Sequence, residues 1–146
     1  MAGFVSKGGG LNNLLTAIMT KFSGSSLASY VGNRIYLDAA PDGAQFPYVV
    51  FFIVSGNQEK TFTEHYTNTL IQFSLFSASS SATEITTMYG YLKSLFDECS
   101  LTITGSKLVW MREENLTTMV DEVTVNDASE RAKHWAVDFE IYTSLN

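Results

Sequence analysis

The sequence predicts an α+β fold, a mainly antiparallel sheet of about four to five strands with two helices packed on one face. Three observations carry that prediction. Leu11, Leu14, Leu15, Ile18, Met19 and Phe22 recur at spacings of three and four, the period of a helix with one apolar face. Ile85, Met88, Tyr89, Leu92, Leu95 and Phe96 repeat the pattern later in the chain. Near the end, Trp135, Val137, Phe139 and Ile141 alternate with Ala136, Asp138, Glu140 and Tyr142, the period of a strand with two different faces.

Residues 1–10 read as a flexible N-terminal lead-in, because Gly8-Gly9-Gly10 resists regular structure. The first helix then runs over about 10–22 and stops at Ser23-Gly24-Ser25-Ser26. Leu27 to Val31 is a helical turn, and Arg34 to Leu37 is short and β-prone. Ala40-Pro41-Asp42-Gly43 is a turn, with proline presetting φ and glycine permitting a positive one. A strand runs from Tyr48 to Ser55, with Pro47 tolerated at its entry. It is apolar on both sides, so both sides are covered, by its own domain or by a neighbouring subunit.

Gly56 to Tyr66 is polar, a connecting loop or a hairpin with an extended tip. In the next strand, Thr69 to Phe76, Ile71, Phe73 and Leu75 face one way and Leu70, Gln72, Ser74 and Phe76 the other. Ser81-Ala82-Thr83-Glu84 has the spacing of a capping box at the head of a helix over 82–98. Gly90 weakens that helix by about 1 kcal/mol relative to alanine. Leu101–Thr104 and Lys107–Arg112 flank a Gly105-Ser106 turn. Leu116 to Val125 has strand composition interrupted by Asp121 and Glu122, and Asn126 to Ser129 reads as a turn. No internal repeat and no second-domain boundary divides residues 11–146, which read as one domain.

Composition limits what such a domain does. Of 146 residues, 45% are hydrophobic and 13% aromatic, which supplies a core and argues against disorder. The net charge of −6 argues against a protein that grips duplex DNA by its phosphates. That charge is localised. Residues 1–96 hold 5 acidic and 5 basic side chains, whereas residues 97–146 hold 10 and 4. Glu113, Glu114, Asp121, Glu122, Asp127 and Glu130 lie between Arg112 and Arg131 with no other base among them. Cys99 stands alone, which argues against a disulfide scaffold and fits a reducing compartment. The N-terminus does not read as a signal peptide, and the longest apolar run, Tyr48 to Val54, is strand length, so no membrane span is expected. The Asn115-Leu116-Thr117 sequon reads as chance.

No catalytic, metal or cofactor-binding residue is assigned. His65 lies in a polar segment and reads as solvated, and His134 reads as a cross-strand partner. Neither has a second ligand at metal-site spacing. Cys99 closes an apolar helix face and behaves as a small hydrophobe. No serine sits in Gly-x-Ser-x-Gly, and the glycine run lacks the strand and Gly-Lys-Ser/Thr ending of a phosphate loop. Adjacent Glu113 and Glu114 point to opposite faces of a strand, poor geometry for a carboxylate pair. What remains is surface. Tyr48, Phe51, Leu70 and Phe76 are the candidates for contact between subunits, unless the domain's own helices and loops cover them.

Two stretches carry a family resemblance. One is Val31-Gly32-Asn33-Arg34-Ile35-Tyr36, behind the amphipathic helix. The other is Pro41-Asp42-Gly43-Ala44-Gln45-Phe46-Pro47-Tyr48-Val49. With the second helix and the closing strands, the layout over about 11–143 resembles the tail terminator (tail completion) proteins of long-tailed bacteriophages. The resemblance implies a structural virion protein without enzymatic activity or cofactor. It would form a homo-oligomeric ring, usually a hexamer, that caps the tail tube, ends its polymerisation and presents the surface for head attachment.

The implied partners are the tail tube protein and the head–tail connector proteins, with DNA passing through the ring unbound and no membrane involved. Assembly would take place in the host cytoplasm, and the mature location would be the head-proximal end of the tail. Gln58, Glu59, Lys60, Phe62 and His65 are the candidates for tube or connector contact. Glu113, Glu114, Asp121 and Glu122 have two readings, a solvated loop or a ring lumen whose charge repels phosphates. The rival readings are a head-side connector or stopper subunit and, from another class, a small α+β ligand-binding domain or hydrolase.

Overall fold

The computed structural model describes residues 2–60, 65–125 and 128–145, with side chains for 10–57, 65–122 and 131–145. In chain order the elements are α1 (Ala2–Phe22), α2 (Ser26–Tyr30), β1 (Ile35–Leu37), β2 (Tyr48–Lys60), β3 (His65–Ser77), α3 (Thr83–Phe96), β4 (Thr102–Ile103), β5 (Ser106–Val125) and β6 (Ala128–Leu145). The fold is α+β as the sequence predicts, with three helices and a curled sheet of six strands rather than four to five. Short β1 and β4 account for the difference, because each is a strand only by virtue of pairing with a long neighbour.

α1 starts at Ala2, within the stretch read as a lead-in, and ends where Ser23 N–H bonds back to Met19 and Thr20 and Gly24 takes a φ of +74°. Leu14, Ala17, Ile18 and Phe22 bury its inner face, while Leu11 and Met19 lie on the flank and stay exposed. Ser25 caps α2, accepting from Ala28 N–H at 3.1 Å.

The capping box expected at α3 does not form. Ser81 Oγ accepts from Thr83 N–H at 3.1 Å, and Glu84 instead accepts the Ser77 hydroxyl at 2.6 Å. A nearby hydroxyl on the end of β3 competes successfully for the carboxylate that the motif would use.

The sheet order is β1-β2-β3-β6-β5-β4, antiparallel except for the β1–β2 pair. The polar stretch after Gly56 resolves as a hairpin, because β2 pairs with β3 as far as Lys60 and His65. The acidic stretch is not a loop over 113–122. It lies within β5, which pairs with β6 from Ser106↔Leu145 to Val125↔Ala128. β3 follows β6 only to Ser77↔Lys133, so the far ends of β5 and β6 project beyond the sheet as a two-stranded ribbon.

The helices cover one side of the sheet. Val49, Phe51, Ile71, Phe73, Leu75, Met111, Val137, Phe139 and Ile141 all point into that core. At its centre Phe22, Phe51, Phe73, Phe96 and Phe139 meet, with ring centroids of 5.0 Å for Phe22–Phe96, 4.9 Å for Phe73–Phe96 and 5.4 Å for Phe73–Phe139.

Candidate assembly surface

Among the described residues no helix lies on the other side of the sheet, and every second residue of its strands points there. An aromatic row crosses it from strand to strand. Tyr36 of β1 meets Tyr48 of β2 at 6.1 Å, Tyr48 stacks on Phe76 of β3 at 4.8 Å, and Phe76 stacks on His134 of β6 at 4.3 Å. Phe46 closes over Tyr48 from the entry loop at 5.2 Å. The row ends on β5, where Asp121 Oδ2 lies 2.7 Å from His134 Nδ1. Burial first, then the Asp121 charge and Tyr36, pushes the Tyr48 phenol above its ordinary value. A second row stacks Tyr66 on Tyr142 at 5.3 Å and Tyr142 on Trp110 at 5.4 Å, with the Arg112 guanidinium 4.3 Å from the Trp110 ring.

Between the rows polar and acidic side chains alternate with Val50, Phe52, Leu70 and Ala136. Gln72 donates to Ser74 at 2.9 Å, and Asn68 donates to Glu140 at 2.7 Å. A hydrogen bond with Glu140, and its charge, raise the Glu114 carboxyl above the usual range, with Arg112 opposing. Burial raises that of Asp138, whose Oδ1 is enclosed without a partner among the described residues. His134 Nε2 is in the same condition. Both atoms belong to β6 on this bare side.

The sequence-assigned residues separate on this geometry. Tyr48, Leu70 and Phe76 lie on the bare side, Tyr48 already enclosed by its ring neighbours. Phe51 is a correction. It has no exposed surface and stacks on Phe73 beneath the helices, so it packs its own core and not a neighbour.

The four acidic positions do not form one surface either. Alternation from Met111 through Arg112 points Glu113 toward α3, and Glu114, at the bulge before Asn115, lies with Glu140 on the bare side. There Glu113 accepts the Tyr89 hydroxyl at 2.7 and 2.9 Å and lies 3.4 Å from Lys93 Nζ. Asp121 shares the bare side, and exposed Glu122 alternates away from it opposite Arg131. Gln58, Glu59 and Lys60 are strand residues paired with Thr67, Tyr66 and His65, and His65 is exposed. Phe62 lies outside the described residues.

The histidine and cysteine expectations can be placed as well. His134 partners Phe76 and Asp121 across strands. Cys99 Sγ lies 3.7 Å from Met111 Sδ, and burial pushes its thiol up. No group of three or more His, Cys, Asp or Glu able to hold a metal occurs among the described residues. No described helix is long and apolar enough to cross a membrane.

What sequence reasoning missed is the aromatic row and the free length of β5. The alternation Tyr48/Val50/Phe52 against Val49/Phe51/Ile53 is apolar on both sides, so it does not say which side the helices take.

The family model for tail completion protein gp17 matches residues 16–144. Among solved structures, the chain is similar to one in the virion of a native gene transfer agent particle, at 15% identity and a TM-score of 0.62, covering 87% of this chain and 92% of that one. A second structure, at 8% identity and a TM-score of 0.54, covers 90% and 94%. These likenesses show a shared fold. No curated protein matches the sequence significantly.

Proposed function

The chain belongs to the tail completion protein gp17 family, a family of tail structural proteins, and on that premise we propose that it forms the hexameric ring that caps a phage-type tail tube. The observation that carries this reading is the family match, which spans residues 16–144 and so takes in the end of α1, all of α2 and α3, and the whole sheet but for the last residue of β6. In this reading the ring ends tube polymerisation, offers its other surface to the head–tail connector proteins, and occupies the head-proximal end of the tail. Residues 11–146 act as one tail-terminator-like domain.

The bare side of the sheet supports a role for the acidic residues. Glu114, Asp121, Asp138 and Glu140 share it, with Arg112 the neighbouring base. Turned toward the ring axis, such a face repels phosphates and lets duplex DNA pass without holding it. The hairpin of β2 and β3 that carries Gln58, Glu59, Lys60 and His65 is the proposed contact with tube or connector.

Particles assembled without this chain test the reading. Over-long tubes and unattached heads are the expected products. Tubes of normal length joined to heads would refute it.

A further inference from the structure

We propose that the free edge of β5 beyond Glu113 is a docking strand for the β2 edge of a second copy of this chain, an inference that rests on the ring reading. The two halves of the β5 edge are treated differently. Over the first half the chain covers its own ladder groups. β4 pairs at Ser106 and Lys107, Glu98 N–H donates to the Met111 carbonyl at 2.8 Å, and Glu113 N–H donates to Asp97 Oδ1 at 3.0 Å. Past the bulge at Glu113/Asn115, no described residue pairs with that side of the strand.

The bare stretch, Asn115-Leu116-Thr117-Thr118-Met119-Val120, has no charge, proline or glycine. Sheets that end in solvent protect their edges with lysine, proline or inward charge. This one instead exposes Met119 at 37% and Val120 at 64%.

The opposite end of the sheet has the same form. β1 pairs with β2 only as far as Phe51, whose carbonyl then accepts from Asp38 N–H. From Phe52 to Asn57 the outer side of β2 is free among the described residues, again without lysine or proline, and Val54 is 49% exposed.

A second copy fits both ends. β2 is antiparallel to β3, β3 to β6 and β6 to β5, so β5 runs antiparallel to β2. A copy placed beside the first in the same orientation therefore sets its β2 edge antiparallel to the first copy's β5 edge. Each copy uses one edge and offers the other, the head-to-tail arrangement that closes into a ring when each step adds a rotation. Pairing two β5 edges would instead give a closed dimer and leave both β2 edges bare.

Sedimentation and electron microscopy of the wild-type protein, followed by amide hydrogen exchange on its assemblies, test the proposal. Val120→Lys, a substitution at an exposed position, serves as the unassembled reference once circular dichroism shows its fold retained. Amides of 115–120 and of 52–57 are expected to exchange at least about tenfold more slowly in the ring than in Val120→Lys. Rings that protect neither segment, or only 115–120, would overturn the edge pairing while leaving the ring reading in place. So would a Val120→Lys protein that forms rings as readily as wild type. A wild-type chain that stays monomeric at every concentration, with or without tail tubes, would overturn the ring reading itself.

Discussion

Arg34 Nε donates to the Pro47 carbonyl at 3.1 Å, and Arg34 Nη2 reaches the Phe46 carbonyl at 3.3 Å. The two stretches that carry the family resemblance are therefore one contact. Alongside it Ile35 pairs with Val49, Tyr36 meets Tyr48, and Gly32, at a φ of +60°, leaves room that a Cβ would take 2.9 Å from Arg34 Nη1. The arginine fixes the entry of β2 to the turn before β1.

Arg34→Ala removes a charged donor from two carbonyls and is expected to cost about 1.5–3 kcal/mol in urea denaturation. Arg34→Lys should recover only part of that, since one ammonium cannot reproduce the planar fork. Full recovery by lysine would show that charge, not geometry, holds the segment.

Phe51 and Phe76 separate the two sides of the sheet. Phe51→Ala opens a cavity beside Phe22 and Phe73 and is expected to cost about 3–5 kcal/mol. Phe76 is half-buried between Tyr48 and His134, so Phe76→Ala should cost clearly less. Equal losses in thermal denaturation would mean that the bare side is as closely packed as the core.

Much of this was legible in the sequence, and the failures have physical causes. Helical spacing located α3, and alternation predicted the two sides of β3 and the divergence of Glu113 from Glu114. Phe51 gives no sign of its side in the sequence, because neighbours that are apolar on both parities carry no direction. The length of β5 was hidden by Asp121 and Glu122, which an edge strand can solvate where a central strand could not. The free β5 edge was invisible for another reason. It depends on Asp97 and Glu98 folding back over Met111 and Glu113, a contact that periodicity does not encode.

Stability should depend on pH through Asp138. Burial raises its carboxyl above 3.8, so the native state keeps a proton that the unfolded chain has already released. Stability from this group is greatest below 3.8 and falls as pH rises through the native value. Asp138→Asn is expected to flatten that fall, raising the melting temperature at pH 7 relative to wild type by more than at pH 3. An equal change at both pH values would contradict the assignment.

The acidic side should be a poor surface for DNA. Wild-type protein is expected not to retard duplex DNA in a gel at low salt. Glu114→Lys combined with Glu140→Lys is expected to retard it, with affinity falling steeply as salt rises. No difference between the two would remove this side from the path of DNA.

Symmetry-averaged electron microscopy of the wild-type protein, alone and bound to tail tubes, tests the ring most directly. The expected image is a closed six-fold ring, seated on the tube end, with a central opening wider than the roughly 20 Å of a DNA duplex. Monomers or open filaments in both samples would contradict it.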